Sequence, residues 1–178
     1  MTLNSKYFFL LLLLVLLSFA ARGQEPRDEK EMERYVNPRF CFSVLAPKQF
    51  QKKFSDNGDG IILTAPQNKN VEIRASGGYN ALFYTLEEEA SLHCEGEKIL
   101  SHENINLSYK HKGRAIKAKK ILSEANGQRF LKLVFSNNSN NDIFYSVWCQ
   151  APKSDFNKYQ KLFEKVIQSI RLTQSESE

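Results

Sequence analysis

The chain's capacity for chemistry rests mainly on three histidines (His93, His102, His111) and three cysteines (Cys41, Cys94, Cys149). A zinc site could be drawn from His93, Cys94, Glu95, His102 and Glu103. Structural zinc sites bring Cys and His in pairs at short fixed spacings, and one His-Cys-Glu triplet is not such a pair. Cys94 reads instead as helix core and His93 as a surface residue. An acyl-transfer triad would need a histidine matched to a serine, and no spacing selects one. The sequence contains no GxSxG, HExxH or P-loop. Ser55, Asn57 and Asp59 ahead of Gly60 imitate the first ligands of a calcium loop, but Pro66 stands where a bidentate glutamate is required. A Gly/Asp turn leading into a strand fits the stretch better. The expectation is a protein with no cofactor, no metal and no enzymatic activity.

Residues 109–120 form the strongest charge run, with Lys110, Lys112, Arg114, Lys117, Lys119 and Lys120 and no acid. An exposed hairpin guarded by lysines accounts for such a run. As a binding patch it would draw an acidic protein partner or an anionic surface, which includes peripheral contact with a membrane. Nucleic acid is disfavoured, because only Tyr109 offers a stacking platform. The overall balance is 25 − 20 = +5, too mild to change that reading.

The N-terminus supplies a compartment. Lys6 precedes an apolar stretch over residues 7–19, and Ala21-Arg22-Gly23 places small residues around a cleavage point before Gln24. The apolar stretch is short for a spanning helix, which needs about 20 residues. Residues 1–23 are therefore expected to be a signal peptide and the protein to be exported, periplasmic or secreted. Export permits one disulfide among three cysteines. Asn106 and Asn137 begin glycosylation sequons.

The elements follow from periodicity. Residues 24–37 are charged and read as a linker or a weak lead-in helix. Phe40, Phe42 and Val44 alternate with Cys41, Ser43 and Leu45 in a strand that Pro47 ends, and Phe50 and Phe54 follow as apolar anchors. Strands are expected over 61–65, 71–76 (closed by Gly77-Gly78), 105–109, 115–123, 129–135 and 143–151. Thr85 and Glu88 form a capping box for a helix carrying Leu86, Ala90 and Cys94 on one side, with Gly96 as its stop. After Pro152, Ser154 or Asp155 caps a final helix. Its stripe is Phe156, Tyr159, Leu162, Phe163, Val166, Ile167 and Ile170. That helix must cover a sheet. The expected fold class is α+β, an antiparallel sheet of about six to seven strands flanked by helices as an α/β/α sandwich.

Cys149 shares a strand face with Ile143, Tyr145 and Val147, and Cys94 shares a helical stripe with Leu86 and Ala90. If that helix covers that face, Cys94 and Cys149 can pair. Cys41–Cys149, Cys41–Cys94 and three free thiols remain as alternatives.

Three stretches carry a family resemblance: RFCFSVLAPKQF followed by DGIILTAP; VEIRASGG stepping into TLEEEA; and FYSVWCQAPKSDFNKYQKLFEKVIQSIRL. Over residues 38–172 this pattern resembles the PsbP-like superfamily, which includes photosystem II PsbP, DcrB-type bacterial envelope proteins and a small Ran-binding protein. The resemblance implies an antiparallel sheet flanked by helices, in members that mostly act by binding. The export signal and short N-terminal lead depart from plant PsbP, so no photosystem role is implied. The expected organisation is a signal peptide (1–23), a charged linker (24–37), a PsbP-like domain (38–172) and a disordered tail (173–178). The expected function is binding a protein partner in the cell envelope or outside the cell. The alternative is a small-molecule or lipid carrier with a pocket between sheet and helix.

Overall fold

The structure, a computed structural model, describes residues 31–108, 115–137 and 141–173. Its elements in chain order are β1 (Met32–Asn37), β2 (Phe42–Pro47), β3 (Gln51–Phe54), β4 (Gly60–Ala65), β5 (Asn68–Tyr79), α1 (Leu86–Leu92), β6 (Lys98–Ser108), β7 (Ala115–Ala125), β8 (Gln128–Ser136), β9 (Ile143–Pro152), α2 (Phe156–Gln168) and β10 (Arg171–Leu172). Seven strands form one antiparallel sheet in the order β3-β4-β5-β9-β8-β7-β6, and β1, β2 and β10 form a second, three-stranded sheet.

Alternation along the strands divides the large sheet into two unlike faces. One presents Leu63, Ile73, Ala75, Leu133, Phe135, Tyr145, Val147 and Cys149, all buried. This face is covered by α2, through Phe156, Phe163, Val166 and Ile167, and by the small sheet, through Phe40, Phe42 and Val44. Phe42 packs edge-on to Tyr145 at 5.9 Å, and the Tyr145 hydroxyl donates to Phe40 O at 3.0 Å. The apolar stripe of α2 thus meets the core it requires. Asp155 occupies the N-cap, but its carboxylate receives Lys158 Nζ at 2.7 Å instead of capping a backbone N–H.

Among the described residues, the other face is covered only in part. Helix α1 lies over β7 and β8, where Ala90, Leu86 and Cys94 pack on Ile121 and Val134. The expected capping box is present: Glu88 N donates to Thr85 Oγ1 at 3.2 Å and Thr85 N donates to Glu88 Oε2 at 2.8 Å. Over β5 and β9 this face carries Arg74, Ser76, Ser146 and Trp148, none of them buried.

Four expectations need correction. Residues 32–37, read as linker, are a strand, because β2 offers them a ladder and Asn37 is buried beneath the Gly58 turn, to whose carbonyl it donates at 2.9 Å. Gly77 and Gly78 continue β5 instead of closing it. A Cβ on Gly77 would lie 2.7 Å from the Phe40 ring, so this glycine admits the ring against the strand. Phe54, unlike Phe50, is exposed. The pairing of Cys94 with Cys149 fails because α1 covers the opposite face of the sheet from Cys149, and Cys41, Cys94 and Cys149 are all free thiols.

Candidate interaction surface

The segment between β5 and α1 is an exposed apolar loop held by a rigid frame. Asn80 is its brace: its side chain accepts from Tyr84 N at 2.8 Å and donates to Tyr84 O at 2.8 Å. The Asn80 backbone N–H is tied to Asp142 O at 3.0 Å, and Phe83 N–H donates to Asn80 O at 3.3 Å. The Thr85 capping box fixes the far end. Between these ties Leu82 is 68% and Phe83 89% exposed, and Tyr79 at the end of β5 is exposed as well. Phe83 sits at φ +57°, a left-handed conformation that costs a non-glycine residue about 1–2 kcal/mol. A bulky aromatic held in that conformation and presented to water is strained and serves no core.

Alongside lies an open groove of about 420 Å³ lined by Tyr84, Glu87, Glu88, Ser91, Leu92 and Glu95. Leu92 is exposed, so the apolar surface runs from the loop onto α1. Its border is acidic. A hydrogen bond from Lys119 holds the Glu87 carboxyl below the usual range, and hydrogen bonds from the Thr85 backbone and hydroxyl do the same for Glu88. Both carboxylates are ionised at neutral pH.

Beneath α1 a polar cluster fastens the helix end to the sheet. Lys132, only 2% exposed, projects from β8 to Glu97 Oε2 at 2.6 Å and also donates to His93 O. Ser123 Oγ donates to the same Glu97 oxygen at 2.6 Å. The ammonium lies 4.9 Å from the Phe130 ring centre and 5.0 Å from that of Trp148, whose ring Arg74 also approaches at 4.9 Å. His93 is half-buried rather than on the surface. Burial pushes its imidazole below the ordinary value, as does the Lys132 charge, while Glu89, 3.4 Å away, acts in the opposite direction. With its ammonium and carboxylate enclosed and paired, this cluster is an anchor for α1.

The residues singled out in the sequence are dispersed. His102 and Glu103 sit on opposite faces of β6, and among the described residues no cluster of three His, Cys, Asp or Glu is placed to hold a metal. Lys117 and Lys119 share the α1 face while Lys120 points to the other, directly across from Glu103. Lys119 is paired with Glu87. Lys110, Lys112 and Arg114 lie outside the described residues. Asn106 is a mid-strand residue of β6, and the side-chain oxygen of Asn137 accepts from Ile143 N at 3.3 Å. Sequence reasoning missed the 79–84 loop, although its apolar residues follow neither strand nor helix period and lie next to a Gly-Gly pair. It also missed Lys132, which alternation alone would place on a wet face.

No family model matches the chain, and no curated protein sequence matches it. Among solved structures, cyanobacterial PsbP (CyanoP) from Synechocystis sp. PCC 6803 superposes with a TM-score of 0.58 at 10% identity, over 85% of this chain and 99% of that one. The fold is PsbP-like. The Saccharomyces cerevisiae Ran-binding protein Mog1p superposes with a TM-score of 0.51 at 8% identity, over 81% of this chain and 96% of that one. At these identities the likeness speaks for the PsbP-like architecture and not for a shared site.

Proposed function

We propose that this chain is an exported, non-enzymatic protein-interaction domain that docks its partner on the 79–84 loop and the adjoining face of α1. The observation that carries the reading is Phe83, exposed, left-handed and braced by Asn80, where folding alone would favour a small polar residue. The acidic border of Glu88 and Glu95, with Glu87 already paired to Lys119, selects among partners. It repels an anionic bilayer and suits a protein surface with an apolar pocket rimmed by Lys or Arg. Export is supported by Lys6 and the apolar stretch after it, and among the described residues no helix is long and apolar enough to cross a membrane. A protein-binding role has a precedent in the fold, since yeast Mog1p is a Ran-binding protein. An acidic partner at the lysine run has less support, because Lys119 and Lys120 face opposite ways and each has a carboxylate beside it.

The carrier alternative loses its basis at the α2 interface. Phe42, Phe135, Phe156, Phe163 and Leu63 are fully buried there. The cleft at its margin, about 170 Å³, is lined by Glu103, Lys120, Gln160 and Glu164 among others, which suits no lipid chain.

A photo-crosslinking residue at position 83, introduced in the native host, should give one discrete protein adduct, and one at exposed Lys158 should give none. Equal labelling at both positions, or no adduct at 83, would refute the site.

A further inference from the structure

The two edges of the seven-stranded sheet are built differently. Strand β3 is guarded as soluble edges usually are: it has four residues, it carries Lys52 and Lys53, and Lys52 is held by Glu33 of β1 at 2.5 Å. Strand β6 runs for eleven residues, pairs among the described residues only with β7, and is exposed along most of its length. Its one irregularity is a register shift between Ile99 and Ser101. From Ser101 to Ser108 it has no proline, no lysine and no bulge, and Glu103 is its only carboxylate. Alternate residues of an edge strand turn N–H and C=O groups outward, and such a row is a template for another strand.

We infer that β6 is a homodimer edge, at which a second copy of this chain adds its own β6 in antiparallel register to make one continuous sheet. A foreign peptide gains specificity at a sheet edge from side-chain pockets. The space beside β6 under α2 is instead a small cleft of about 170 Å³, in which the charged Glu103, Lys120 and Glu164 lie among Leu122, Leu131 and Phe156. A second sheet needs no pocket.

The register follows from charge and face. Pairing centred on Glu103 sets carboxylate against carboxylate, and pairing centred on His102 sets imidazole against imidazole. A shift by one residue turns the side bearing Ile105 and Leu107 against the side bearing His102, Asn104 and Asn106. Two-fold axes at Asn104 and at Ile105 both avoid these faults, and we take the first, which keeps the paired segment within residues 101–107. It joins 101–107 of both copies, sets Asn104 against its equivalent, and places Glu103 opposite Ile105 and His102 opposite Asn106, with no like charges directly opposite and the two Glu103 side chains only diagonal neighbours. This edge is separate from the 79–84 loop, so its failure would leave the proposed function standing.

The test is sedimentation equilibrium of the purified protein over a wide concentration range. The wild type should approach twice the chain mass as concentration rises. Asn104→Glu should stay monomeric: within a chain the new carboxylate faces Lys119, which supports the fold, while across the two-fold axis it meets its own copy. Unchanged circular dichroism would show that the variant is folded. Asn104→Cys should convert to a disulfide-linked dimer on mild oxidation while the wild type, with its own three thiols, does not. A wild type that is monomeric at every concentration overturns the inference. So does a dimer that Asn104→Glu leaves intact and Asn104→Cys fails to trap.

Discussion

Lys132 Nζ and Glu97 Oε2 meet at 2.6 Å on the face of the sheet opposite the main core, with the ammonium enclosed by Phe130, Trp148 and the end of α1. Removing one partner of an enclosed pair costs more than the pair is worth, because the remaining charge stays desolvated. Glu97→Ala should lower unfolding free energy by about 3–5 kcal/mol. Lys132→Met keeps the stem packed on both rings and should cost less. Lys132→Met with Glu97→Gln should recover most of the loss. Urea titrations of the three variants decide it, and a Glu97→Ala loss under about 1 kcal/mol would mean the pair is solvated like a surface bridge.

The legible parts of the fold were those in which one local rule sufficed. Period-two runs ended by proline gave β2 and β9, and Thr85 with Glu88 gave the start of α1. The stripe from Phe156 to Ile170 gave α2 and its buried side. What stayed hidden depended on partners distant in the chain. Residues 32–37 have no strand period, and they are a strand because β2 accepts them. Which face α1 covers cannot be read from its own stripe, and that choice separates Cys94 from Cys149. The candidate surface was hidden for a related reason: Leu82 and Phe83 look like core until their exposure is known.

The sheet between Cys94 and Cys149 makes a further expectation definite. Cys149 is fully buried, and burial pushes its thiol far above the ordinary value; burial raises Cys94 as well. In native buffer a thiol reagent should leave Cys149 untouched until the domain unfolds. In denaturant without reductant three thiols should react. A count of one in denaturant would restore a disulfide.

His93 should shape the acid side of the stability curve. Its folded value lies below the ordinary 6.5, first because of burial, so the unfolded chain binds the proton more readily than the folded one. The stability it confers is complete above pH 6.5 and is lost as pH falls through 6.5 towards the folded value. The lowered carboxylates Glu87, Glu88 and Glu124 act in a lower window, below their ordinary 4.5. Wild-type stability should therefore already decline as pH falls below about 6.5, above the carboxylate window, and His93→Gln should flatten that part of the curve. Parallel curves for the two proteins would remove His93 from the account.

Phe83 allows stability and function to be separated at one residue. With its ring 89% exposed, truncation removes little packing. Its φ of +57° is tolerated by asparagine at far lower cost than by an aromatic residue. Phe83→Asn should therefore leave the melting temperature unchanged or raise it, a gain of up to about 1 kcal/mol, while abolishing capture of the partner crosslinked at position 83. Asn80→Ala should do the reverse to the frame. It removes both side-chain hydrogen bonds to Tyr84, costs about 1–3 kcal/mol, and should speed hydrogen exchange at Tyr84 while Phe83 itself is intact. If Phe83→Asn lowers the melting temperature by many degrees, Phe83 is a structural residue and the surface reading fails. If it preserves both stability and partner capture, the exposed ring is incidental and the contact lies elsewhere on α1.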